Sequence, residues 1–373
     1  MFKHLNYERS ILSLTASVQK HFGVKAEHSP LPEFDKLLEK NYKNVVLMLF
    51  DGLGVSAINE HLPEDSFLRK HLVCGISSVF PSTTVAATVT AMTGLSPAEH
   101  GWLGWDLYFK EIGENVAVFR NSLQKNGKPA ADYNVAWRYI PYKDIFKQIE
   151  EVNGKGTAYC VSPFSNYHSK SVRNICKIVK RLSRKRKKKY IYTYWYQPDK
   201  AMHGYGVKSK QTHEQILLIN SEVEKLCKKL KNTLVIITAD HGHCDSKNEY
   251  LEDYTALSAM LKRPPSIEAS RALSLFVNDG MADKFKEEFS RIFADDFILL
   301  TKEEVFDKNI FGYGTPHPRT SDFVGDFLAI ATGEKSLFIQ REDINFIGVH
   351  AGFTEEEMII PFIAVETEKG KRQ

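Results

Sequence analysis

The stretch Val45–Gly54 reads VVLMLFDGLG and decides the fold. Its first six residues are all apolar, which is typical of a strand that is covered on both faces within a parallel sheet. Three later runs have the same character: Tyr190–Trp195 (YIYTYW), Leu234–Thr238 (LVIIT) and Phe362–Val365 (FIAV). We therefore predict four buried parallel strands.

Helical patterns separate these strands. In segment 212–230, Ile219, Val223, Leu226 and Leu230 recur at the spacing of one helix face. Strands that alternate with helices predict an α/β fold, with layers of helix around a mostly parallel central sheet.

The segment from 254 to 312 has a different pattern. It contains the Pro264-Pro265 break, the extended run ALSLFV and a charged helical stretch near 283–293. This predicts a small α+β insertion that caps the main domain. We otherwise expect residues 1–373 to form a single domain.

The charge of the chain is concentrated in one place. Its 373 residues are 43% hydrophobic and 26% charged, as in soluble globular proteins, and the net charge is +4. Nine lysines and arginines lie within 177–189, and without them the balance falls to −5. The basicity is therefore local, and nucleic acid is not an expected partner. A solvated helix end or exposed loop is favoured, and a polyanion-binding patch is the alternative.

The cysteines and the N-terminal sequence indicate the cellular compartment in which the protein is expected. The five cysteines form no CxxC pair, which indicates free thiols in a reducing compartment. The N-terminal MFKHLNYERSILSLTASVQK has no apolar signal core, and no apolar run approaches the length of a spanning helix. These features predict a cytoplasmic protein without a transmembrane segment.

Acidic and imidazole side chains follow three of the predicted strands. Asp51 ends the first strand, Asp240-His241 follow the third, and Asp199 and His203 follow the second. Ligands of open α/β sheets gather beyond the carboxyl ends of the strands, so we expect these five side chains to share one crevice. A mixed set of carboxylates and imidazoles suits Zn²⁺, and carboxylates also accept Mn²⁺ or Mg²⁺.

A candidate nucleophile lies in FPSTTVAATVTAMTGLSPAEHGW, residues 80–102. Ser82, Thr83 and Thr84 precede or open a helical stretch that Gly94 ends. Hydroxyls at a helix start usually serve as N-caps. The same position favours a phosphate site, because free N–H groups and the positive end of the helix dipole meet there.

Five motifs together resemble the ordered series of the alkaline phosphatase superfamily. They are FDGLG, PSTTVAATVTAMTGLSPAEHG, PDKAMHG, ADHG and GVHAGFTEEEMIIPFIAV, and they are most similar to those of the nucleotide pyrophosphatase/phosphodiesterase family. The resemblance implies an alkaline-phosphatase-like layered fold and a two-metal phosphoester hydrolase.

The resemblance also implies roles for single residues. The nucleophile of that family lies nine residues before a Thr-Gly element, which here begins at Thr93 and therefore identifies Thr84. The two implied sets of metal ligands, for Zn²⁺ in the first instance, are Asp51, Thr84, Asp240 and His241, and Asp199, His203 and His350.

One position departs from the family pattern. Phosphodiesterases of this group usually hold an Asn downstream of the nucleophile, and here the matching position is Trp105. Trp105 is predicted to contact substrate or to pack in the interior, and Tyr205 and His317 are further candidate contacts. His243, in ADHGH, is left open between a supporting role at the site and simple exposure.

The implied reaction is hydrolysis of a small phosphate ester, with a nucleotide diester as first candidate and a phospho-threonine intermediate. A phosphomonoesterase or a phosphonate hydrolase is an alternative on the same metal core. A sulfatase is not expected because its Cys/Ser-x-Pro-x-Arg element is absent. The alternative outside the enzymes is a polyanion-binding module that uses the 177–189 run.

Overall fold

The molecule is built on two β-sheets. A computed structural model describes residues 2–268, 270–341 and 346–368. The central sheet has six strands, in the spatial order Leu72–Ser77, Ile359–Glu366, Thr233–Thr238, Asn44–Phe50, Lys189–Trp195 and Ala158–Val161. Five run in one direction, which confirms the mostly parallel α/β sheet.

The predicted parallel direction of the fourth strand is wrong. Ile359–Glu366 contains the predicted Phe362–Val365 run, but it pairs antiparallel with both of its neighbours. The chain reaches this strand through the short helix Glu355–Met358, directly after the loop that carries His350. It enters the sheet from the carboxyl ends of the parallel strands without crossing back, so it runs in the opposite direction.

The strand Asn44–Phe50 lies in the middle of the central sheet, between Lys189–Trp195 and Thr233–Thr238. All seven of its residues are buried, as expected for a strand covered on both faces. The helix Lys210–Cys227 covers part of the sheet with Ile219, Val223 and Leu226, as predicted, whereas Leu230 is buried but lies beyond the end of the helix.

Helices surround the sheets, and in the described part of the chain none is long and apolar enough to cross a bilayer. The α-helices are Ile11–His21, Pro32–Leu38, Val55–His61, Phe67–Lys70, Thr84–Thr93, Pro97–His100, Val135–Tyr139, Ile145–Asn153, Val172–Ser183, Asp199–Tyr205, Lys210–Cys227, Thr255–Ser258, Ala282–Phe293, Lys302–Asp307, Thr320–Phe323 and Glu355–Met358, and two 3₁₀ turns span Tyr7–Arg9 and Leu251–Asp253.

The second sheet is antiparallel and draws on distant parts of the chain. Its strands, in spatial order, are Phe297–Thr301, Phe327–Ala331, Ala272–Leu275, Ser266–Glu268, Asp106–Phe109, Glu114–Ala117 and Ser122–Leu123. Two further strand pairs are Lys247–Tyr250 with Lys335–Phe338, and Cys244–Asp245 with Gly348–Val349. Within its described residues, the segment 254–312 contributes three strands and three α-helices. Its strands pair with strands from other segments of the chain to form this second sheet.

A buried ion pair links the second sheet to the His350 loop. Arg271 and Glu357 are both fully buried, and a guanidinium nitrogen of Arg271 lies 2.7 Å from a carboxylate oxygen of Glu357. Glu357 also accepts a hydrogen bond from the backbone N–H of Gly352. The loop that carries His350 is thereby fixed against the second sheet.

Candidate active site

Backbone hydrogen bonds bring the motif loops together at the carboxyl ends of the parallel strands. The N–H of Asp51 donates to the carbonyl of Trp195, and the N–H of Asp199 donates to the carbonyl of Asp51. Gly52 has a φ of +75°, and a Cβ there would lie 3.0 Å from the Cα of Asp199. Only glycine suits both that backbone conformation and that approach, which explains the Asp-Gly pair.

The first ligand set consists of Asp51, Asp240 and His241, whose candidate ligand atoms lie within 4.8 Å of one another. All three residues are buried. The N–H of Gly52 donates to Asp240 Oδ1 over 3.1 Å, and His241 Nε2 lies 3.3 Å from Asp51 Oδ1. Asp240 Oδ2 is buried and has no hydrogen-bond partner, so it is available to a cation.

Thr84 is placed against this first set. It is the first residue of the helix Thr84–Thr93, and its Oγ1 lies 3.2 Å from His241 Nε2 and 3.4 Å from Asp51 Oδ1. Gly94 ends the helix with a φ of +74°. The structure thus joins the predicted nucleophile to three predicted metal ligands.

The second ligand set contains one more residue than the resemblance implies. Asp199, His203, His243 and His350 offer ligand atoms within 4.8 Å of one another. The Nε2 atoms of His243, His203 and His350 lie 2.7, 3.1 and 3.8 Å from the same Asp199 Oδ1. In a tetrahedral zinc site neighbouring ligand atoms are about 3.3 Å apart, so this spacing suits one ion.

The sequence left His243 open between a supporting role at the site and simple exposure, and in the structure it is buried beside Asp199. Its place follows from the pairing of Cys244–Asp245 with Gly348–Val349, which brings the ADHGH and GVHAG loops side by side. The local sequence does not indicate that strand pairing. The sequence feature that could have identified His243 is its position two residues after the predicted ligand His241.

Backbone carbonyls orient three of the imidazoles. The Nδ1 atoms of His203, His241 and His350 lie within hydrogen-bond distance of the carbonyls of Gly348, Gly242 and Ser82. A proton on Nδ1 leaves the Nε2 lone pair directed at the carboxylates. This arrangement is usual for imidazoles that bind metal ions.

The electrostatics of the cluster favour a bound cation. Burial, and then the neighbouring Asp199 charge, raises the pKa of Asp51 to about 8. Burial likewise raises the pKa of Asp240, with the Asp51 charge as the next cause. Buried carboxylates with raised pKa values bind protons at neutral pH unless another positive charge compensates them.

Tyr194 is a further residue that the sequence did not identify. It lies near the end of the strand Lys189–Trp195, and its hydroxyl donates to Asp51 Oδ2. This hydrogen bond opposes the burial effect and lowers the pKa of Asp51. Tyr194 thus favours the ionised form of Asp51, although burial still dominates its pKa, and holds the carboxylate in one orientation.

A cavity of about 490 Å³ opens from the ligand sets and is lined by Thr84, Asp199, His203 and His350. Trp105 lines the same cavity and also packs against a hydrophobic core cluster, so its position suits both predicted roles, substrate contact and packing. The other two candidate contacts lie elsewhere: Tyr205 is 58% exposed, and neither it nor His317 is part of the cavity wall.

The basic run lies away from the site, around the amino end of the strand Lys189–Trp195. Lys189 is buried, and its ammonium donates to the side chain of Asn44 and to the carbonyl of Lys185. Lys187 and Lys188 also donate to neighbouring oxygens. Part of the run therefore anchors its own loop.

Comparison with known proteins agrees with this geometry. The family model for type I phosphodiesterase / nucleotide pyrophosphatase matches residues 45–342. Bovine (Bos taurus) ectonucleotide pyrophosphatase/phosphodiesterase family member 3 is 23% identical over 283 residues, or 70% of this chain. The match spans only 30% of the length of that relative.

Solved structures share the fold. Murine ectonucleotide pyrophosphatase/phosphodiesterase 5 superposes with a TM-score of 0.65 at 17% identity, over 86% of this chain and 87% of its own. Phosphonoacetate hydrolase from Sinorhizobium meliloti 1021, in complex with phosphonoformate, gives 0.62 at 15% identity, over 88% and 91%. Both likenesses confirm the alkaline-phosphatase-like architecture. Since the family model covers most of the sequence, including four of the five motifs, the chain belongs to the type I phosphodiesterase / nucleotide pyrophosphatase family.

Proposed function

We propose that this protein is a two-metal hydrolase of phosphate esters that prefers diesters and acts through Thr84. The observation that carries the proposal is the position of the Thr84 hydroxyl. It lies 3.2 Å from His241 Nε2 and 3.4 Å from Asp51 Oδ1, at the first residue of a helix. A hydroxyl held there faces both a metal-ligand set and a helix N-terminus.

The residues fit two divalent ions. Asp51, Asp240 and His241 would hold one ion together with Thr84, and Asp199, His203 and His350 would hold the other with His243 beside them. The imidazole nitrogens and the unpartnered Asp240 Oδ2 are donors that Zn²⁺ accepts, and we propose Zn²⁺ as the natural metal. When bound, the ions would supply positive charge for the phosphoryl oxygens and activate the Thr84 hydroxyl.

The protein's own groups carry the rest of the reaction. Thr84 Oγ1 attacks phosphorus in line and loses its proton to solvent. The Oγ1–P bond forms as the bond from phosphorus to the leaving oxygen breaks. That oxygen takes a proton from solvent and departs as an alcohol, which leaves a phospho-threonine ester. Free N–H groups in the first turn of the helix Thr84–Thr93 stabilise the phosphoryl oxygens. Water then cleaves the Oγ1–P bond and restores Thr84.

Diesters with a nucleoside group are the proposed substrates. The family description supports this class. An inactive threonine-to-alanine variant of the murine relative was solved in complex with AMP, which supports both the nucleotide and the role of a threonine. The cavity beyond Thr84 has room for a group larger than phosphate.

The test is a paired rate assay on zinc-loaded protein. Bis(p-nitrophenyl) phosphate should turn over faster than p-nitrophenyl phosphate, and a chelator should abolish both rates. Thr84→Ala should lower the rate by at least about a thousandfold. Thr93→Ala changes a threonine at the other end of the same helix and should keep the rate. A chelator-resistant rate, or equal losses in the two variants, would contradict the proposal.

A phosphonate hydrolase is the second candidate. Trp105 stands where diesterases of the family usually hold an Asn, and it lines the cavity. The fold is also similar to that of a phosphonoacetate hydrolase. Turnover of phosphonoacetate with no turnover of either chromogenic ester would favour this candidate.

We also propose that the protein is cytoplasmic. All five cysteines are unpaired, which suits a reducing compartment. Subcellular fractionation of the native protein, with a thiol count on the purified fraction, tests this; recovery in an extracellular fraction would contradict it.

A further inference from the structure

The cavity beyond Thr84 has one strongly basic side chain on its wall. Of the described residues that line it, Arg120 is the only lysine or arginine. The other charged groups are the carboxylates of Asp199, which belongs to the second ligand set, and Asp106. A guanidinium on the wall of a cavity that holds the nucleophile is in a position to contact substrate.

The turn geometry fixes where Arg120 lies. Residues 118–121 connect the strands Glu114–Ala117 and Ser122–Leu123, and the N–H groups of Arg120 and Asn121 both donate to the carbonyl of Ala117. Asn121 adopts a φ of +55°, which closes the turn. The turn therefore holds the backbone of Arg120 at the end of two paired strands of the second sheet.

Arg120 is held over Trp105. Its guanidinium carbon lies 5.3 Å from the centroid of the indole ring, within the range of a cation–π contact. The ring of Phe119 meets the same indole edge-on, with the centroids 6.0 Å apart. Stacking restricts the side chain before any ligand arrives, which lowers the entropy cost of binding.

Apart from its contact with the Trp105 ring, the Arg120 guanidinium has no carboxylate partner among the described residues. In the three described ranges it forms no ion pair with a carboxylate, although Arg319, Arg271 and Arg341 all do. A guanidinium presents a planar fork of N–H donors that matches a carboxylate or a phosphate.

We propose that Arg120, stacked on Trp105, binds a second anionic group of the substrate, a carboxylate or a phosphate at a distance from the reacting phosphorus. The inference rests on the proposed function, because it assigns a specificity residue to the same cavity. It predicts that ligands with a distal anion are favoured over ligands that lack one.

Binding of matched phosphonates to zinc-loaded protein tests this without depending on turnover. Ethylphosphonate, carboxyethylphosphonate and ethylene bisphosphonate differ in the group at the far end, which is neutral, carboxylate or phosphonate. In calorimetric titrations the wild type should bind the two anionic ligands about tenfold more tightly than ethylphosphonate. The comparison between those two ligands identifies which anion is preferred.

Arg120→Ala should remove this preference and leave the affinity for ethylphosphonate unchanged, and Arg120→Lys should retain part of it. The matched control is Arg138→Ala, since Arg138 also stacks on an aromatic ring, that of Tyr133, but does not line the cavity. It should keep the full preference.

Two results would overturn the inference: a wild type without preference among the three ligands, or an Arg120→Ala variant that weakens all three equally. A different result would contradict the proposed function alone. In that case neither the chromogenic diester nor the monoester is hydrolysed, although the binding preference and its loss in Arg120→Ala are both observed.

Discussion

His243 Nε2 lies 2.7 Å from Oδ1 of Asp199, closer to that atom than either His203 Nε2 or His350 Nε2. His243 thus belongs with the second ligand set, either as a ligand or as the group that orients Asp199. Both roles stabilise the bound ion, and loss of such a partner typically costs 10–100-fold in metal affinity.

The first prediction is that His243→Gln weakens metal binding at one site. Chelator competition should show about 10–100-fold lower affinity for one of two ions, with the other unchanged. His61→Gln is the control, because His61 is buried but bonded to the carbonyl of Val207. Unchanged affinity at both sites in His243→Gln would count against a role for this residue.

The second prediction concerns pH. Burial, and then the Asp199 charge, raises the pKa of Asp51 to about 8, so the metal-free site binds a proton below that pH. An ion must displace this proton, and apparent zinc affinity should therefore rise by about tenfold per pH unit up to about pH 8 and level off above it. Chelator competition between about pH 6 and pH 9 measures this.

Tyr194→Phe provides the control for the pH prediction. It removes the hydroxyl that donates to Asp51, so the pKa of Asp51 should rise further and the plateau should move to higher pH. A zinc affinity that does not change with pH would show that Asp51 does not control metal loading. A pH profile that is the same in Tyr194→Phe as in the wild type would show the same.

The third prediction concerns stability. Glu357→Gln leaves Arg271 as a fully buried charge with a weakened partner, and breaking such a pair typically costs about 3–5 kcal/mol. Urea denaturation of the variant should show a loss of this order in the free energy of unfolding.

Lys247→Ala is the stability control, because Lys247 and Glu334 form a pair in which both side chains are 74% exposed. Its effect on the free energy of unfolding should be much smaller than that of Glu357→Gln, because water and salt screen an exposed pair. Similar small effects in both variants would mean that the buried pair does not fix the His350 loop.

The fourth prediction separates the enzyme from a polyanion-binding module. Replacing Arg184, Lys185, Arg186 and Lys187 with glutamine, while keeping the buried Lys189, should leave diester hydrolysis unchanged, because the run lies away from the cavity. Steady-state kinetics check this, and a rate loss comparable with that of Thr84→Ala would contradict the claim that the basic run takes no part in the reaction.

Much of the fold and site could be predicted because the signals are local. Val45–Phe50 is apolar throughout, and the residues that follow it and Leu234–Thr238 must lie at one edge of the sheet. The helix Thr84–Thr93 begins within a run of hydroxyl residues and ends at Gly94, and both signals are visible in the sequence, although no side chain caps its start. These features need no knowledge of distant pairing.

Other features depend on contacts between distant segments. The second sheet joins strands from 106–123 to strands from 266–331, and nothing in ENVA at Glu114–Ala117 indicates its neighbours. The direction of Ile359–Glu366 depends on where the chain leaves the His350 loop. The contact of His243 with Asp199 and that of Tyr194 with Asp51 likewise depend on how distant segments are placed together.

The central claim is that Thr84 attacks phosphorus, and the stereochemical course of the reaction tests it most directly. A diester made chiral at phosphorus with sulfur and oxygen isotopes would be hydrolysed by the zinc-loaded wild type, and the configuration of the product determined. Two successive in-line displacements, through Thr84 and then water, predict net retention of configuration. Net inversion would mean that water attacks the substrate directly, and would contradict a phospho-threonine intermediate.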